Sequence, residues 1–194
     1  MTNTSATGGY LLGVEAALPG GLNVVDFLQA VISGITGIGG DLVRPRWQID
    51  PPKIPDISVD WCAFGITNQK GDANAYFQME VSDAYLSRHE ELDIFCIFYG
   101  PNAHSNAGAL RDGLQLSQNR EKLYLAAMGF VDSSDITSAP EKINERWFNR
   151  ADMTIKITRQ IIRTYQVLSF LSANGEIITD TTPQIEVPWS VSNE

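Results

Sequence analysis

The densest set of side chains that could do acid–base or metal chemistry is the run RHEELD at residues 88–93, with one histidine and three carboxylates. Side chains of a strand alternate between its two faces, so His89 and Glu91 would point to one side and Glu90 to the other. A general acid–base pair or a set of metal ligands must instead meet at one point. The pattern therefore favours the solvated start of a strand, and the helical zinc signature HExxH is absent.

Three further features that resemble functional motifs have simpler structural interpretations. The glycine run GITGIGG (34–40) follows a predicted helix, whereas a phosphate-binding loop needs a strand before its glycines and a helix after them, so a helix C-cap and turn is favoured. His104 is expected to be a polar residue in the first turn of a helix. Cys62 and Cys96 lie in apolar strand-like runs without metal-ligand spacing, which predicts buried, reduced thiols. We expect no catalytic residue, no metal and no cofactor.

Basic residues concentrate in NERWFNR (144–150) and continue with Arg159 and Arg163, in a chain of net charge −9. Pairing with carboxylates on the faces of strands is the favoured interpretation. A nucleic-acid contact and an acidic protein partner are the alternatives. The overall charge argues against binding of nucleic acid through phosphate neutralisation, because the rest of the surface would repel the phosphates.

The segment LVRPRWQIDPPKIPD (42–56) combines two arginines, a tryptophan and four prolines. Proline fixes φ and has no N–H for a sheet ladder, so the segment is predicted to be a stiff extended arm, and neither a central strand nor a helix interior. Such arms are spacers or surfaces that lie against a partner, and arginine and tryptophan are typical of the second use. Arg44, Arg46 and Trp47 are the candidate contact residues.

The remaining pattern predicts two helices and four strands. The first helix begins at the cap Asn23 and ends at the glycines, and the second runs from Asn102 or Ser105 to about Met128. The first two strands are predicted to pair as a hairpin, the third to be covered on both faces, and the fourth to bury one face only. The predicted strands are 59–67, 75–82, 91–100 and 151–158.

These elements predict an α+β fold: a mostly antiparallel sheet with two helices packed on it, and extended arms at the N-terminus, at 42–56 and at the C-terminus. A chain of 194 residues with 43% hydrophobic residues suits one domain. The expected division is a flexible N-terminus (1–8), a main domain (9–175) and an extended tail (176–194). Apolar residues such as Trp189 indicate that the tail docks on a partner.

The second helix carries more apolar surface than one sheet requires. At 100° per residue one side is a core stripe, while Leu116 and Leu123, with Ala127, fall on another side. This other side needs a further partner, either the first helix or a neighbouring subunit. The core stripe consists of Ala103, Ala107, Leu110, Leu114, Leu125 and Met128.

No signal-peptide pattern and no run of 18 apolar residues is present, so we expect a protein that is neither secreted nor membrane-spanning and that is made and kept in the cytosol.

Several uncommon sequence segments, in their order along the chain, resemble the phage neck terminator family, relatives of the tail-terminator proteins of long-tailed phages. The likeness covers roughly residues 9 to 175, whereas 176–194 is not matched. The segments are LVRPRWQ, PPKIP, DWCAFGI, FYGPNA, LRDGLQLSQNREKL and INERWFNRADMTI.

The resemblance implies a non-enzymatic virion component, assembled in the host cytoplasm. It would form a ring, usually of six copies, that sits at the head-proximal end of the tail tube, stops tube growth and joins the tail to the head connector. Its partners would be further copies of itself, the tail tube protein, the head–tail connector or adaptor protein and, in a contractile tail, the sheath protein. DNA would pass through the channel without sequence-specific binding, and no membrane partner is implied.

A ring of this kind gives the arms a use, since permanent interfaces commonly bury about 2,000 Å² or more. The acidic charge would keep DNA from adhering to the channel wall. The alternatives are another neck component such as a head-completion or connector ring, a tail-tube relative, an enzyme that uses 88–93, and a binding module that uses 144–165. The predicted subunit-interface residues are Arg44, Arg46, Trp47, Leu116, Leu123 and Trp189.

Overall fold

The computed structural model describes residues 10–80, 83–143, 145–167, 172–178 and 186–192. Within these residues the chain divides into two compact units. The larger consists of Glu15–Tyr76 and Ser87–Ile162, and the smaller of Met1–Val14, Phe77–Leu86 and Arg163–Glu194.

Three α-helices and twelve strands are present in the described residues. The helices are α1 (Val24–Thr36), α2 (Ala103–Gly113) and α3 (Ser117–Leu125), and short 3₁₀ turns lie at Pro19–Gly21 and Gly40–Leu42. The strands are β1 (Val14–Glu15), β2 (Val43–Pro45), β3 (Trp61–Gly71), β4 (Tyr76–Met79), β5 (Asp83–Tyr99), β6 (Met128–Ser133), β7 (Thr137–Ser138), β8 (Glu141–Ile143), β9 (Arg146–Phe148), β10 (Arg150–Gln166), β11 (Ser172–Ile178) and β12 (Glu186–Ser192).

The main sheet has the strand order β1-β10-β5-β3-β2. The β3–β5 pair is antiparallel, as are the pairs of β6 and β7 with β10, whereas β2 runs parallel to β3. The predicted α+β class with a mostly antiparallel sheet is confirmed. Strand β2 lies at the edge of the sheet, where a proline-containing segment costs no ladder hydrogen bond on its outer side.

The first face of the sheet packs against the helices. On β5 the even-numbered residues from Leu92 to Phe98 are buried in the same cluster as apolar residues of α1 and α2. The predicted alternation in 151–158 is confirmed on β10, where Ala151, Met153, Ile155 and Ile157 are each 1% exposed. Cys62 and Cys96 are buried and free, and burial raises the pKa of the Cys62 thiol.

The second face of the sheet is also covered, which explains why the end of β5 is apolar on both sides. Ile97 and Tyr99 of β5 pack with Trp61 of β3 and Phe148 of β9 in a separate cluster. Ile57, from the segment that follows the arm, packs on the same cluster. Loop and hairpin residues, not a helix, therefore form the second layer.

Helix α1 agrees with its sequence signals. The side chain of Asn23 accepts a hydrogen bond from the Asp26 backbone N–H at 2.9 Å, as expected of an N-cap. Gly37 has φ 76° and donates its N–H to the Ser33 carbonyl, so the glycine run is the predicted C-cap and turn. His104 lies in the first turn of α2, as predicted.

The predicted single second helix is wrong, because the chain breaks between α2 and α3. Leu116 has extended backbone angles (φ −78°, ψ 128°), and the Asn119 side chain donates to the Gly113 carbonyl at 2.9 Å. The break resets the helical phase. As a result Leu123 is 1% exposed and Leu125 is 73% exposed, the reverse of the predicted stripes.

The predicted hairpin between 59–67 and 75–82 is also wrong. Strand β3 pairs with β5 from Trp61↔Tyr99 to Gly71↔Glu90, and β4 pairs with β5 as well. Pairing with β5 buries Cys62 and Phe64 between two apolar strands, whereas all four residues of β4 are exposed. Burial of apolar side chains against β5 therefore decides the partner of β3, although the turn at 68–74 favours pairing with the next strand along the chain.

In the smaller unit, β11 and β12 form an antiparallel hairpin. The register pairs Ser172 with Ser192 and Ile178 with Glu186. Strand β11 crosses position 175, where the sequence placed a boundary, and residues 1–8 lie outside the described residues. The division of the chain at 8 and 175 stays a prediction.

No helix in the described ranges is both long and apolar enough to cross a membrane.

Two glycines of α2 are expected to respond in opposite ways to alanine. A Cβ at Gly108 meets nothing within 4 Å, so Gly108→Ala should raise the free energy of unfolding by about 0.5–1 kcal/mol through helix propensity. A Cβ at Gly113 would lie 2.4 Å from Ile35 Cγ2, so Gly113→Ala should lower it by about 1–3 kcal/mol. Urea unfolding of both variants measures the difference, and equal effects would contradict the α1–α2 packing.

Candidate functional site

The run at 88–93 lies on β5, and its side chains separate as predicted. Glu90 is buried on the helix-side face, where it accepts hydrogen bonds from Gln69 Nε2 at 2.7 Å and from Arg159 Nε at 3.1 Å. On the opposite face Glu91 accepts from Lys156 Nζ at 2.9 Å. His89 is exposed. Glu90 is thus paired with Arg159 on one face, while Glu91 and Asp93 share Lys156 on the other, so the three carboxylates do not meet at one point.

The described part of the chain contains no group of three or more His, Cys, Asp or Glu side chains that could hold a metal ion.

Four basic residues of the 144–165 region, Arg146, Arg150, Lys156 and Arg159, are paired with carboxylates, in agreement with the favoured interpretation. Arg150 donates Nε and one terminal N–H to Asp152, both at 2.7 Å, and another N–H to Glu141 at 2.9 Å. The hydrogen bonds to Asp152 raise the pKa of Arg150, and the hydrogen bond to Glu91 raises the pKa of Lys156. Charges that are neutralised in this way add little to a nucleic-acid contact.

The strongest candidate site is the arm, residues 42–56. Its first part is β2, whose Val43 is fully buried, and its path is then fastened by Arg44. The Arg44 guanidinium donates to the Asp41 carbonyl at 2.9 Å and to the Lys53 carbonyl at 2.8 Å, and it lies 5.9 Å from the Trp61 ring. Arg44 therefore joins the two ends of the arm within one molecule.

Arg46 positions Trp47. Its guanidinium lies between two rings, 4.7 Å from the centroid of Trp47 and 5.3 Å from that of Phe95. Each such contact contributes about 0.5–1 kcal/mol at an exposed site. Trp47 also lies against Gly65, where a Cβ would come within 2.6 Å of its Cζ3 atom. The ring thus lies against Gly65 of the sheet and Arg46 of the arm, and Arg46 in turn contacts Phe95.

Trp47 combines high exposure with an unfavourable backbone. Its φ is 57°, in the left-handed region that a bulky residue rarely adopts, and its side chain is 68% exposed. Such backbone strain costs about 1–3 kcal/mol and is concentrated at binding sites. The exposed ring contributes little to the core of the protomer.

Further exposed apolar side chains lie on the arm and on the β8–β9 hairpin. Ile49 is 97% exposed, and Ile54 is also exposed on the arm. The β8–β9 hairpin is tied to the end of the arm by an Arg146–Asp56 ion pair of 3.8 Å. Phe148 is buried against the sheet, so alternation directs its neighbour Trp147 outward, where it is 66% exposed. We call Trp47, Ile49, Ile54 and Trp147 the arm surface.

The remaining predicted interface residues have different environments. Leu116 is 60% exposed at the break before α3, together with exposed Tyr124 and Leu125. Leu123 is buried in the protomer's own core and has no surface for a neighbour, which corrects its selection as an interface residue. Trp189 pairs with Gly175 in the β11–β12 ladder, and its side chain lies outside the described residues.

Sequence reasoning missed three residues of this site. Phe95 and Gly65 lie in strands far along the chain from the arm, and no local pattern connects them to Arg46 and Trp47. Trp147 lies within the run NERWFNR, which was interpreted only through the charge of its arginines. The tryptophan in that run is the sequence feature that indicates an apolar contact residue.

A polar network beneath the arm fixes the second layer of the sheet. The rings of Trp61 and Tyr99 stack at 4.3 Å between centroids with an interplanar angle of 9°. The Tyr99 hydroxyl donates to Glu141 at 3.1 Å, and the same carboxylate accepts from Arg150. Burial, opposed by the Arg150 charge and reinforced by Glu141, raises the pKa of Tyr99 to about 12.

The arm surface consists of exposed aromatic and aliphatic side chains on an α+β fold. This composition is typical of a protein-binding site. The model of a family described as phage neck terminator protein matches residues 23–182. The chain belongs to this family and is a structural protein of the bacteriophage neck. The match begins at the cap of α1 and includes the arm, both sheet layers and β11. A comparison with curated proteins found no match.

The raised pKa of Tyr99 predicts an alkaline loss of stability. Tyr99 ionises near pH 10 in the unfolded chain and near pH 12 in the folded protein, so its contribution is complete below pH 10 and lost between about pH 10 and 12. The free energy of unfolding should fall by on the order of 2 kcal/mol more in the wild type than in Tyr99→Phe across this range.

Urea unfolding at closely spaced pH values measures this difference. The remaining tyrosines are common to both proteins and cancel in the comparison. Parallel alkaline profiles for the two proteins would contradict the buried Tyr99–Glu141 contact.

Proposed function

We propose that the protein forms a ring, of six copies, at the head-proximal end of the tail tube, where it stops tube growth and joins the tail to the head–tail connector. Membership of the neck terminator family supports this role. The tail tube protein lies on one side of the ring and the connector on the other, and in a contractile tail the sheath protein is a further neighbour. DNA passes through the central channel without sequence-specific binding.

The arm surface is the observation that carries the proposal. A protomer in a closed ring makes head-to-tail contacts through two different patches, and closure ends assembly at a fixed number of copies. Such permanent contacts commonly bury about 2,000 Å² or more. An arm with two exposed isoleucines and an ordered, exposed tryptophan supplies apolar area beyond the body of the protomer. We propose that Trp47 contacts the adjacent subunit, with Arg44 and Arg46 holding the arm in position.

Leu116 and the C-terminal segment around Trp189 are proposed as further contacts with neighbouring molecules. Leu116 is exposed at the α2–α3 break, next in sequence to α3. For the tail, the supporting observation is composition alone, an apolar tryptophan in a proline-containing segment.

The acidic charge suits the proposed passage of DNA. The chain has a net charge of −9, and its basic residues at 150, 156 and 159 are paired with carboxylates. A negative channel wall repels phosphates within about 8 Å at physiological ionic strength. An acidic wall of the proposed channel would therefore be sufficient to keep DNA from adhering as it passes.

Electron microscopy of tail tubes mixed with the purified protein tests the role. We expect single rings at one end of each tube and no further growth from capped ends. Stacking of the protein into long filaments would instead identify a tail-tube relative, and binding only to the connector would identify a connector ring.

Trp47→Ala is expected to abolish capping of the tubes while it changes the free energy of unfolding by less than about 1 kcal/mol, because the ring is largely exposed. Gly65→Ala should weaken capping with Trp47 still present, since its Cβ displaces the ring. Ser105→Ala, at an exposed polar position on α2 and away from the arm, is the control and should cap normally.

Capping is scored as the fraction of tube ends that carry a ring, and unfolding in urea confirms that each variant is folded. Normal capping by Trp47→Ala would show that the arm does not carry the contact.

A further inference from the structure

A ring made through the arm needs a receiving surface elsewhere on the same chain. The described residues contain a pocket of about 360 Å³ at the other side of the larger unit, between the segment after β1, the end of α3 and strand β10. This volume lies within the usual range of binding pockets. It is lined by Glu15, Ala16, Ala17, Leu18, Pro19, Leu125, Ala126, Ala127, Arg159, Gln160, Ile161 and Ile162.

The pocket is apolar and open at its rim. Leu125 is 73% exposed and Ile162 is 40% exposed, although both are large apolar side chains. The floor is fixed, because Ala16 N–H donates to the Ile162 carbonyl and Gln160 N–H donates to the Ala127 carbonyl, both at 3.0 Å. A rigid pocket with an exposed apolar rim is a surface that gains free energy when an apolar side chain covers it.

The order of the strands places the pocket and the arm at opposite edges of one sheet. The arm continues from β2, which is the last strand in the order β1-β10-β5-β3-β2, whereas the pocket is built on β10 and the segment that follows β1. Two different patches at opposite edges are the arrangement that a head-to-tail ring requires, since each copy then gives one patch and receives the other.

The charges of the two patches are complementary. The arm, residues 42–56, has three basic and two acidic side chains, in a chain whose net charge is −9. At the pocket Arg159 is paired with two carboxylates, 3.0 Å from Glu90 and 3.8 Å from Glu15, so this cluster is net negative. Opposite potentials favour the arm-to-pocket orientation and disfavour contacts between two arms.

We infer that the arm tip, residues 47–49, of one copy docks in this pocket of the next copy. The inference rests on the proposed ring and names its contact. Ile49, which is almost fully exposed, enters the pocket, and the exposed part of Trp47 covers Leu125 at the rim. Arg46, which holds Trp47 in place, brings its positive charge toward Glu15 at the pocket. The occupant of the pocket is therefore a second copy of this chain.

Cysteine cross-linking in a mixture of two variants tests the contact. Gln48→Cys places a thiol on the arm tip and Leu125→Cys places one on the rim, both at exposed positions, so neither change disturbs the core. The native Cys62 and Cys96 are fully buried, and the wild-type protein with a short bifunctional maleimide measures their background. The reagent is added to assembled particles, alone or on tail tubes, after their copy number has been determined by mass.

We expect a cross-linked dimer only when the two variants are mixed, and a ladder up to the full ring when one chain carries both changes. Gln48→Cys mixed with Ser105→Cys, at an exposed position on α2, is the matched control and should give background only. Dimers from Gln48→Cys alone would show an arm-to-arm contact and overturn the inference.

The failure of the docking and the failure of the ring are distinguishable. Particles of fixed copy number without a 48–125 cross-link would overturn the docking and leave the ring intact. A cross-link from the arm to the tube protein would give the arm a different partner and also overturn it. If the chain remains a monomer with and without tubes, the proposed ring itself is overturned.

Discussion

The burial of β5 on both faces is the constraint on which the rest of the structure depends. Its even-numbered side chains from residue 92 to 98 enter the helix-side core, while Ile97 and Tyr99 need a second cover. In the described residues no helix covers that side, and the cover comes from the segment after the arm and from the β8–β9 hairpin. The arm connects β2 to this cover and is therefore fixed at both of its ends by the packing of the sheet.

The same constraint explains how an irregular, proline-rich segment can present an ordered aromatic surface. Arg46 and Trp47 pack against the second-layer face of the sheet. The Arg46 guanidinium contacts Phe95 of β5, and Gly65 of β3, which has no side chain, leaves room for the Trp47 ring. Rigid aromatic anchors bind with a smaller loss of conformational entropy than mobile ones. The order of the arm surface is thus derived from the sheet and not from the prolines alone.

Local periodicity was sufficient where one element decides its own environment. The cap at Asn23, the alternation on β10 and the two-faced apolar run of β5 all follow from side-chain spacing. It failed where the outcome depends on distant residues. Strand β3 pairs with β5 because of the apolar surface of β5, which lies far along the chain. Leu123 is buried and Leu125 is exposed because the helix breaks before α3, whereas the prediction assumed one continuous helix.

Composition located the site, but it assigned the roles of its residues incompletely. The density of proline, arginine and tryptophan identified the arm, whereas the contacts of Arg44 with the arm's own carbonyls and of Arg46 with Phe95 depend on the folded path of the chain.

This distinction bears on the proposed role, in which the protein contacts other proteins around passing DNA. In the described residues the arginines and the lysine at 150, 156 and 159 are paired with carboxylates on the sheet. Arg44 and Arg46 are instead held by carbonyls and aromatic rings, and no carboxylate in the described part of the chain forms an ion pair with them. Positive charge is therefore concentrated where the proposed protein contact lies, and the remaining acidic surface can face DNA without attracting it.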